Sequence, residues 1–314
     1  MTRPHLPVWI ALGGAALVGV LTAVQARING QLGARLGDGL LAAAISFSSG
    51  LLVLLVLSAA LPVGRRGVAT LVRGIRSRTI PWWMLAGGAA GALTVATQGL
   101  AVAVIGVSLF TVGVVAGQAV CGLVLDRAGY GPAGVVAVTV PRLVGGALAL
   151  TAVGISLSGH GSTGIPLWML VLPLAAGIGI AWQQATNGRL RQRVGAPLTA
   201  TLVNFAGGTI LLVAAAAVNL AATGAPDAFP QELWLYVGGV VGVTYIFLTV
   251  ALVAHTGVLL LGLGVVVGQL LASIVIDAIW PVPSGPGVLQ SAAMMLVALS
   301  AVAVAAAPWR ARRR

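Results

Sequence analysis

Residues 25–50 read QARINGQLGARLGDGLLAAAISFSSG, and the stretch recurs at residues 183–208 as QQATNGRLRQRVGAPLTATLVNFAGG. Laid on each other without gaps, at an offset of 158 residues, the two stretches are identical at ten of 26 positions. The shared Gln, Asn, Phe and Gly residues carry the match, because apolar helices share Ala and Leu by composition alone. A repeat of this length is too long for a solenoid unit. It predicts two homologous halves.

A second pair of stretches supports this interpretation. Residues 106–126 (GVSLFTVGVVAGQAVCGLVLD) align with residues 257–277 (GVLLLGLGVVVGQLLASIVID) at an offset of 151. Each contains three glycines spaced seven and four apart, then a glutamine and a final aspartate. This spacing puts the glycines on one helix face, where small residues allow helices to approach closely. We expect the two glycine faces to pack against each other.

The composition indicates a membrane protein. The 314 residues are 59% hydrophobic and only 7% charged, whereas a soluble domain has about 25% charged residues. The net charge of +12 comes from arginines in loops between apolar runs, where orientation in a membrane explains them better than nucleic acid does. The single cysteine, Cys121, lies in an apolar run and predicts neither a disulfide nor a metal site.

Apolar runs of about 20 residues, enough to cross a bilayer core of roughly 30 Å, occur along the whole chain. They lie near 8–28, 39–62, 82–104, 107–126, 134–157, 167–188, 197–220, 234–254, 257–277 and 288–308. The sequence therefore predicts an all-α integral membrane protein with ten transmembrane helices, five per half. The predicted division is a first half at 1–157, an external linker at 158–166, and a second half with a basic tail at 167–314.

The arginines predict the orientation. With the N-terminus inside, 14 of the 17 basic residues fall on the cytoplasmic side and the acidic loop 221–233 falls outside, as the positive-inside rule requires. An odd number of helices per half makes the halves cross in opposite directions. The sequence thus predicts inverted-topology repeats, an arrangement of secondary transporters, with both termini cytoplasmic.

The motifs resemble those of a known family. Gln-x-x-x-Asn-Gly-x-Leu at Gln25 and Gly-Val-x-Leu at Gly106, in two inverted halves, resemble the YdcZ-type branch of the drug/metabolite transporter superfamily. In that branch, single five-helix chains and fused ten-helix chains both occur. The resemblance covers nearly the whole chain and implies a multi-pass exporter of the bacterial inner membrane in the fused two-half form. It implies transport without naming a substrate. The chain departs from the repeat where Ser46 aligns with Asn204.

Signatures of enzymes are missing from the sequence. It has no H-E-x-x-H, G-x-S-x-G or P-loop motif, and only five acidic residues. We therefore expect no enzyme and no cofactor, but a secondary transporter driven by protons or another ion. Its expected partners are a small-molecule substrate, the coupling ion and membrane lipid, without nucleic acid. Two alternatives stay open: a non-transporting membrane subunit or sensor, and, with less support, a lipid-modifying membrane enzyme.

Two pairs of amides are candidates for gates. Gln25 and Asn29 lie one helical turn apart and share a face, and Gln183 and Asn187 repeat the pair. Amides inside a membrane either join helices or line a pathway, and both interpretations stay open. As pathway residues, they would form one gate at each mouth.

A substrate cavity is predicted near the bilayer centre. Its expected lining is Gln118, Gln269, Phe47, Phe205 and Asn204. A lining this poor in charge suits a neutral or amphipathic solute, or a single cation.

Asp126 and Asp277 end equivalent helices at opposite mouths. Desolvation in a closing mouth favours the protonated form of a carboxylate. The two aspartates are therefore the predicted coupling residues, with a solvated helix end as the alternative for each. The sequence predicts no metal site.

The orientation can be tested by thiol labelling. In a Cys121→Ser background, we expect a membrane-impermeant maleimide added outside intact cells to label a cysteine at Asp227 but not one at Arg73. The positive-inside rule places these loops on opposite sides. The reverse labelling pattern would refute the predicted orientation.

Overall fold

The structure, a computed structural model, describes residues 8–131, 134–135 and 167–281, with isolated positions between 140 and 151 and at 292 and 296. The regular elements in these ranges are all helical. They are α1 (Val8–Leu36), α2 (Gly39–Ala60), α3 (Pro62–Arg76), α4 (Gly87–Arg127), α5 (Leu167–Val194), α6 (Pro197–Thr223) and α7 (Gly238–Ile279), with short 3₁₀ helices at Trp82–Leu85 and Leu233–Tyr236. The predicted linker and most of the predicted helices 134–157 and 288–308 lie outside the described residues.

Among the described helices, three stretches are long and apolar enough to cross a membrane: Gly39–Ala60, Trp82–Leu125 and Pro197–Thr223. The second has 44 residues, which at 1.5 Å per residue is roughly 66 Å of helix, about twice the thickness of a bilayer core. Within it α4 breaks at Gly106, whose backbone (φ 79°, ψ 165°) is not helical. Glycine adopts this conformation without the steric cost that a Cβ adds.

The contacts of α5 indicate that α4 reverses direction at this break. Residues 183–187 of α5 contact residues 87–91, and the two sets of numbers run in opposite senses. Residues 173–177 of α5 contact residues 113–118, and here the numbers run in the same sense. The two segments of α4 therefore lie along one helix in opposite directions, so the chain turns back at Gly106.

The long helix α7 folds back along α1 in the same way. Residues 25–29 of α1 contact residues 238–242, and residues 16–19 contact residues 265–269. These two parts of α1 are roughly 14 Å apart along the helix, whereas a straight α7 would separate its two parts by roughly 40 Å. The direction of α7 must therefore reverse between them.

The two glycine faces were expected to pack against each other, but the described glycines Gly117 and Gly268 have other partners. Gly117 of α4 lies against Gly177 of α5, and Gly268 of α7 lies against Gly19 of α1. A Cβ on any of these glycines would collide with backbone atoms of the neighbouring helix. Each glycine face therefore packs on the first helix of the opposite half.

The arginine-rich segment 63–80, interpreted from the sequence as a loop, contains a helix. Helix α3 begins at Pro62, where the fixed φ of proline suits a first helical position. Two buried glycines, Gly64 and Gly67, let α3 lie directly against α2 and α6.

The close approach of α4 and α5 can be tested with two alanine substitutions. Both Gly177→Ala and Gly122→Ala should gain about 1 kcal/mol of helix propensity. Only the first adds a Cβ that collides with the carbonyl of Val114; a Cβ on Gly122 meets no described atom within 4 Å. We expect Gly177→Ala to be less stable than Gly122→Ala by about 1–3 kcal/mol, the usual cost of overpacking, measured by thermal unfolding in detergent. Equal unfolding temperatures would contradict this packing.

Candidate substrate pathway

The first amide cluster is formed by Gln25, Asn29 and Ser46, which lie against the start of α7. Gln25 Nε2 donates to the carbonyl of Gly238 at 2.9 Å, and Asn29 Nδ2 donates to Gln98 Oε1 at 2.7 Å. All three cluster side chains are buried, yet Gln25 Oε1, Asn29 Oδ1 and Ser46 Oγ have no partner among the described residues. A buried polar atom without a partner costs roughly 1–3 kcal/mol. A solute or water that donated hydrogen bonds to these oxygens would therefore remove this cost.

The second amide cluster is formed by Gln183, Asn187 and Asn204, which lie against the start of α4. Asn204 Oδ1 accepts hydrogen bonds from Gln183 Nε2 at 2.7 Å and from Asn187 Nδ2 at 3.0 Å. Asn204 stands at the repeat position of Ser46, and its longer side chain brings one acceptor to both amides. The second cluster is therefore bonded within itself, whereas the first bonds to backbone and to α4.

Glycine makes room for both clusters, because each amide occupies the space that a Cβ would fill. The contacts are Gly242 with Gln25, Gly238 with Asn29, Gly91 with Gln183, and Gly87 with Asn187. The glycines of the two sets lie 151 residues apart and the amides 158 apart, which are the two offsets of the sequence repeat. Each of these four contacts between the halves thus has a counterpart in the reverse direction.

An aromatic pair connects the two clusters. The rings of Phe47 and Phe205 are buried and contact each other, with centroids 4.8 Å apart and planes tilted by 30°. Phe47 approaches the second cluster near Gly91, and Phe205 approaches the first cluster near Gly242. An apolar contact therefore separates two polar groups.

The two glutamines of the predicted cavity lie at separate helix crossings. The backbone nitrogen of Gln118 faces Gly177 of α5, and that of Gln269 faces Gly19 of α1. Gln269 is buried, and Gln118 is half-buried. Asn204 is hydrogen-bonded to the predicted gate residues Gln183 and Asn187 and not to these glutamines. A central cavity that contains all five predicted lining residues stays a prediction.

The helix that follows the break at Gly106 is capped from the other half. Asp277 Oδ1 accepts a hydrogen bond from the backbone N–H of Val107 at 2.9 Å, and Oδ2 accepts one from that of Ser108 at 2.6 Å. A carboxylate at this position satisfies free backbone donors and complements the helix macrodipole. Asp277 is buried, so it is a bonded cap and not a solvated helix end.

Arg27 is a charged residue to which the sequence analysis gave no role. It is buried on α1, within electrostatic range of Asp277, and its Nη1 has no partner among the described residues. The available signal was its position between Gln25 and Asn29, in an apolar span where an unpaired charge is costly. Buried charges of opposite sign therefore lie beside the break in α4.

The remaining predicted coupling residue, Asp126, lies in α4, but its side chain is outside the described part of the chain.

Across the ranges that the structure describes, no three His, Cys, Asp or Glu side chains group to hold a metal ion. A surface cavity of about 350 Å³ lies beside Arg35 and Glu232, and another of about 230 Å³ lies beside Arg73 and Arg193. Neither is lined by a residue of the amide clusters.

The fold and these sites define an all-helical membrane protein built from two related halves. The profile of the family described as "Putative inner membrane exporter, YdcZ" matches residues 9–155 and again residues 168–305. The chain belongs to this family, in its fused two-half form.

A solved structure entitled "Crystal structure of protein" is also similar, with 17% identity and a TM-score of 0.54. The similarity covers 98% of this chain and 99% of that chain, and at this identity it concerns the fold alone. No curated protein matches the chain.

The cap on the helix break can be tested by removing its carboxylate. Asp277→Ala should lower the free energy of unfolding by about 1–3 kcal/mol, because two buried N–H groups lose their acceptor and Arg27 loses its counter-charge. The matched control, Asp227→Ala, removes the same charge at an exposed position and should change stability by less than about 0.5 kcal/mol. Thermal unfolding in detergent measures both, and equal effects would mean that Asp277 does not hold the break.

Proposed function

We propose that the protein is a secondary transporter that exports a small metabolite or drug-like solute across the bacterial inner membrane, driven by protons. The observation that supports this most is the reciprocal packing of the two amide clusters. Each cluster forms where one half meets the other, and each has an equivalent at the repeat position. Transporters built from repeats place their substrate sites at such an interface. Membership in a family of described exporters agrees with the direction of transport.

The proposed topology has ten helices in two inverted halves, at 1–157 and 167–314, with both termini cytoplasmic. The reversals within α4 and α7 support it, because each then contributes two crossings to its half. Reciprocal contacts are what a two-fold relation between similar units produces. In this proposal the two-fold axis lies in the membrane plane, so that one amide cluster serves each mouth.

The proposed pathway runs between the clusters. Gln25 and Asn29 form the gate of one mouth and Gln183 and Asn187 that of the other, with the pair Phe47 and Phe205 between them. An apolar contact flanked by polar groups suits a neutral or amphipathic solute, which needs both ring contacts and hydrogen bonds. Gln118 and Gln269 complete the proposed lining when the helix crossings open.

The proposed coupling uses Asp277 and its repeat counterpart Asp126. Protonation of Asp277 would weaken the acceptors of two backbone N–H groups and remove the charge opposite Arg27. The start of the helix after Gly106 would then be free to move. The charge state of Asp277 would thus be linked to the position of that helix. An equivalent cap by Asp126 at Gly257 would give the other mouth the same device.

This function can be tested in proteoliposomes. A thermal-shift screen of the purified protein first identifies a solute, whose flux is then measured with and without a pH gradient. Asp126→Asn and Asp277→Asn should each abolish pH-driven flux while solute counterflow survives, because Asn keeps an acceptor for the helix start but does not take up the proton. Wild-type flux in both variants would exclude the proposed coupling. A folded wild-type protein that moves no identified solute but retains a partner chain would favour a non-transporting subunit.

A further inference from the structure

The end of α3 and the end of α5 enclose a basic surface cavity of about 230 Å³. Arg73 lines it from the first half and Arg193 from the second, and both side chains are exposed. Thr70, Ser77 and Thr79, which carry hydroxyl groups, belong to the same lining. The cavity is therefore lined by two arginines, one from each half, and by three residues that carry a hydroxyl group.

A tight turn holds two of these hydroxyls in place. Arg78 has a φ of 56°, and the turn brings the backbone N–H groups of Thr79 and Ile80 back to the carbonyl of Gly74. Thr79 Oγ1 donates to the same carbonyl at 3.2 Å and lies 3.1 Å from Ser77 Oγ. The hydroxyl side of the cavity is thus fixed by the end of α3.

The two segments that line the cavity carry charge of one sign. Residues 61–80 and 189–196 contain eight arginines and no acidic residue. Two of the other arginines are engaged: Arg65 donates to the carbonyls of Ala59 and Ala60, and Arg189 donates to the carbonyl of Gly129. The ion pair within the described residues, Arg35 with Glu232, does not involve either arginine of the cavity. An anion that bridged Arg73 and Arg193 would remove their mutual repulsion.

The orientation of α3 indicates which side the cavity faces. Val72 and Ile75 form an exposed apolar flank, which in a membrane protein is the flank that turns to lipid. At 100° per residue, Thr70 and Gly74 lie on the other side of the helix from this flank. The cavity therefore opens away from the acyl chains, toward water.

From this geometry we propose that the cavity is a binding site for a phosphate group of a water-soluble molecule. Arginine binds phosphate through two parallel N–H groups, so the donors of this site are the guanidinium groups of Arg73 and Arg193. The hydroxyls of Thr70 and Thr79 already donate to the backbone carbonyls of Arg66 and Gly74. The ligand would join α3 of the first half to the end of α5, the helix that carries Gln183 and Asn187. The site is independent of the proposed export, since its ligand need not be the solute that is carried.

The test uses the full-length protein in uncharged detergent, with inorganic phosphate as the probe and chloride at matched ionic strength as the reference. Phosphate should raise the unfolding temperature saturably. Arg73→Gln and Arg193→Gln should each weaken the apparent affinity about ten-fold or more, the effect of one lost charge-assisted contact. The matched controls Arg66→Gln and Arg76→Gln remove the same charge from exposed positions of α3 outside the cavity. They should stay within about two-fold of the wild type, as expected for screened surface charges.

Three results would overturn the proposal. One is the absence of a saturable phosphate effect in the wild type, which would leave Arg73 and Arg193 as partners of two negative helix C-termini. Another is an equal loss in all four variants, which would indicate diffuse charge. The third is stabilisation by phosphatidylglycerol but not by inorganic phosphate, with the same dependence on Arg73 and Arg193, which would assign the cavity to a lipid headgroup.

Discussion

The structure depends on helices that approach until backbone touches backbone, and only glycine allows this. At Gly19 against Gly268, and at Gly117 against Gly177, any side chain would occupy the position of a neighbouring carbonyl. In a bilayer there is no hydrophobic drive between helices, so close packing and buried hydrogen bonds supply the attraction. The amide clusters use the same device, because each amide fits where a glycine of the other half leaves space.

The repeat, the membrane class and the break at Gly106 could be predicted because each depends on local composition or on identities at fixed spacing. The helix that packs on a glycine face could not be predicted. Periodicity identifies the face that carries small residues, but not the helix that covers it. Gly117 and Gly268 were expected to face each other, and instead each lies against the first helix of the other half. The two glycine-rich stretches meet through polar side chains, at Thr111 with Ser273. Helix α3 was not predicted, because its arginines dominate the hydropathy pattern of the segment. Its packed face carries three buried glycines.

The candidate site was predictable in its residue types and less so in its bonding. Gln25 and Asn29 were assigned to a gate by their spacing, and the structure places them in a buried cluster with Ser46. The hydrogen-bond partner of each amide depends on which side chains of other helices lie within reach. The spacing of residues along the sequence does not predict this. The exchange of Ser46 for Asn204 gives the second cluster one acceptor for both of its amides, whereas three buried oxygens of the first cluster have no partner among the described residues. Two clusters that are related by sequence thus differ in how their amides are hydrogen-bonded.

The reciprocal packing has a consequence for biosynthesis. The first helix of the chain finds its backbone partner in α7, more than 200 residues later, and α4 finds its partner in α5. While the ribosome is still making the second half, the first half lies in the membrane with its glycine faces and amides uncovered. Lipid cannot satisfy those amides, so the nascent first half is an incomplete unit that other membrane chains can contact. Fusing the halves into one polypeptide shortens that period, because the covering helices follow on the same messenger RNA.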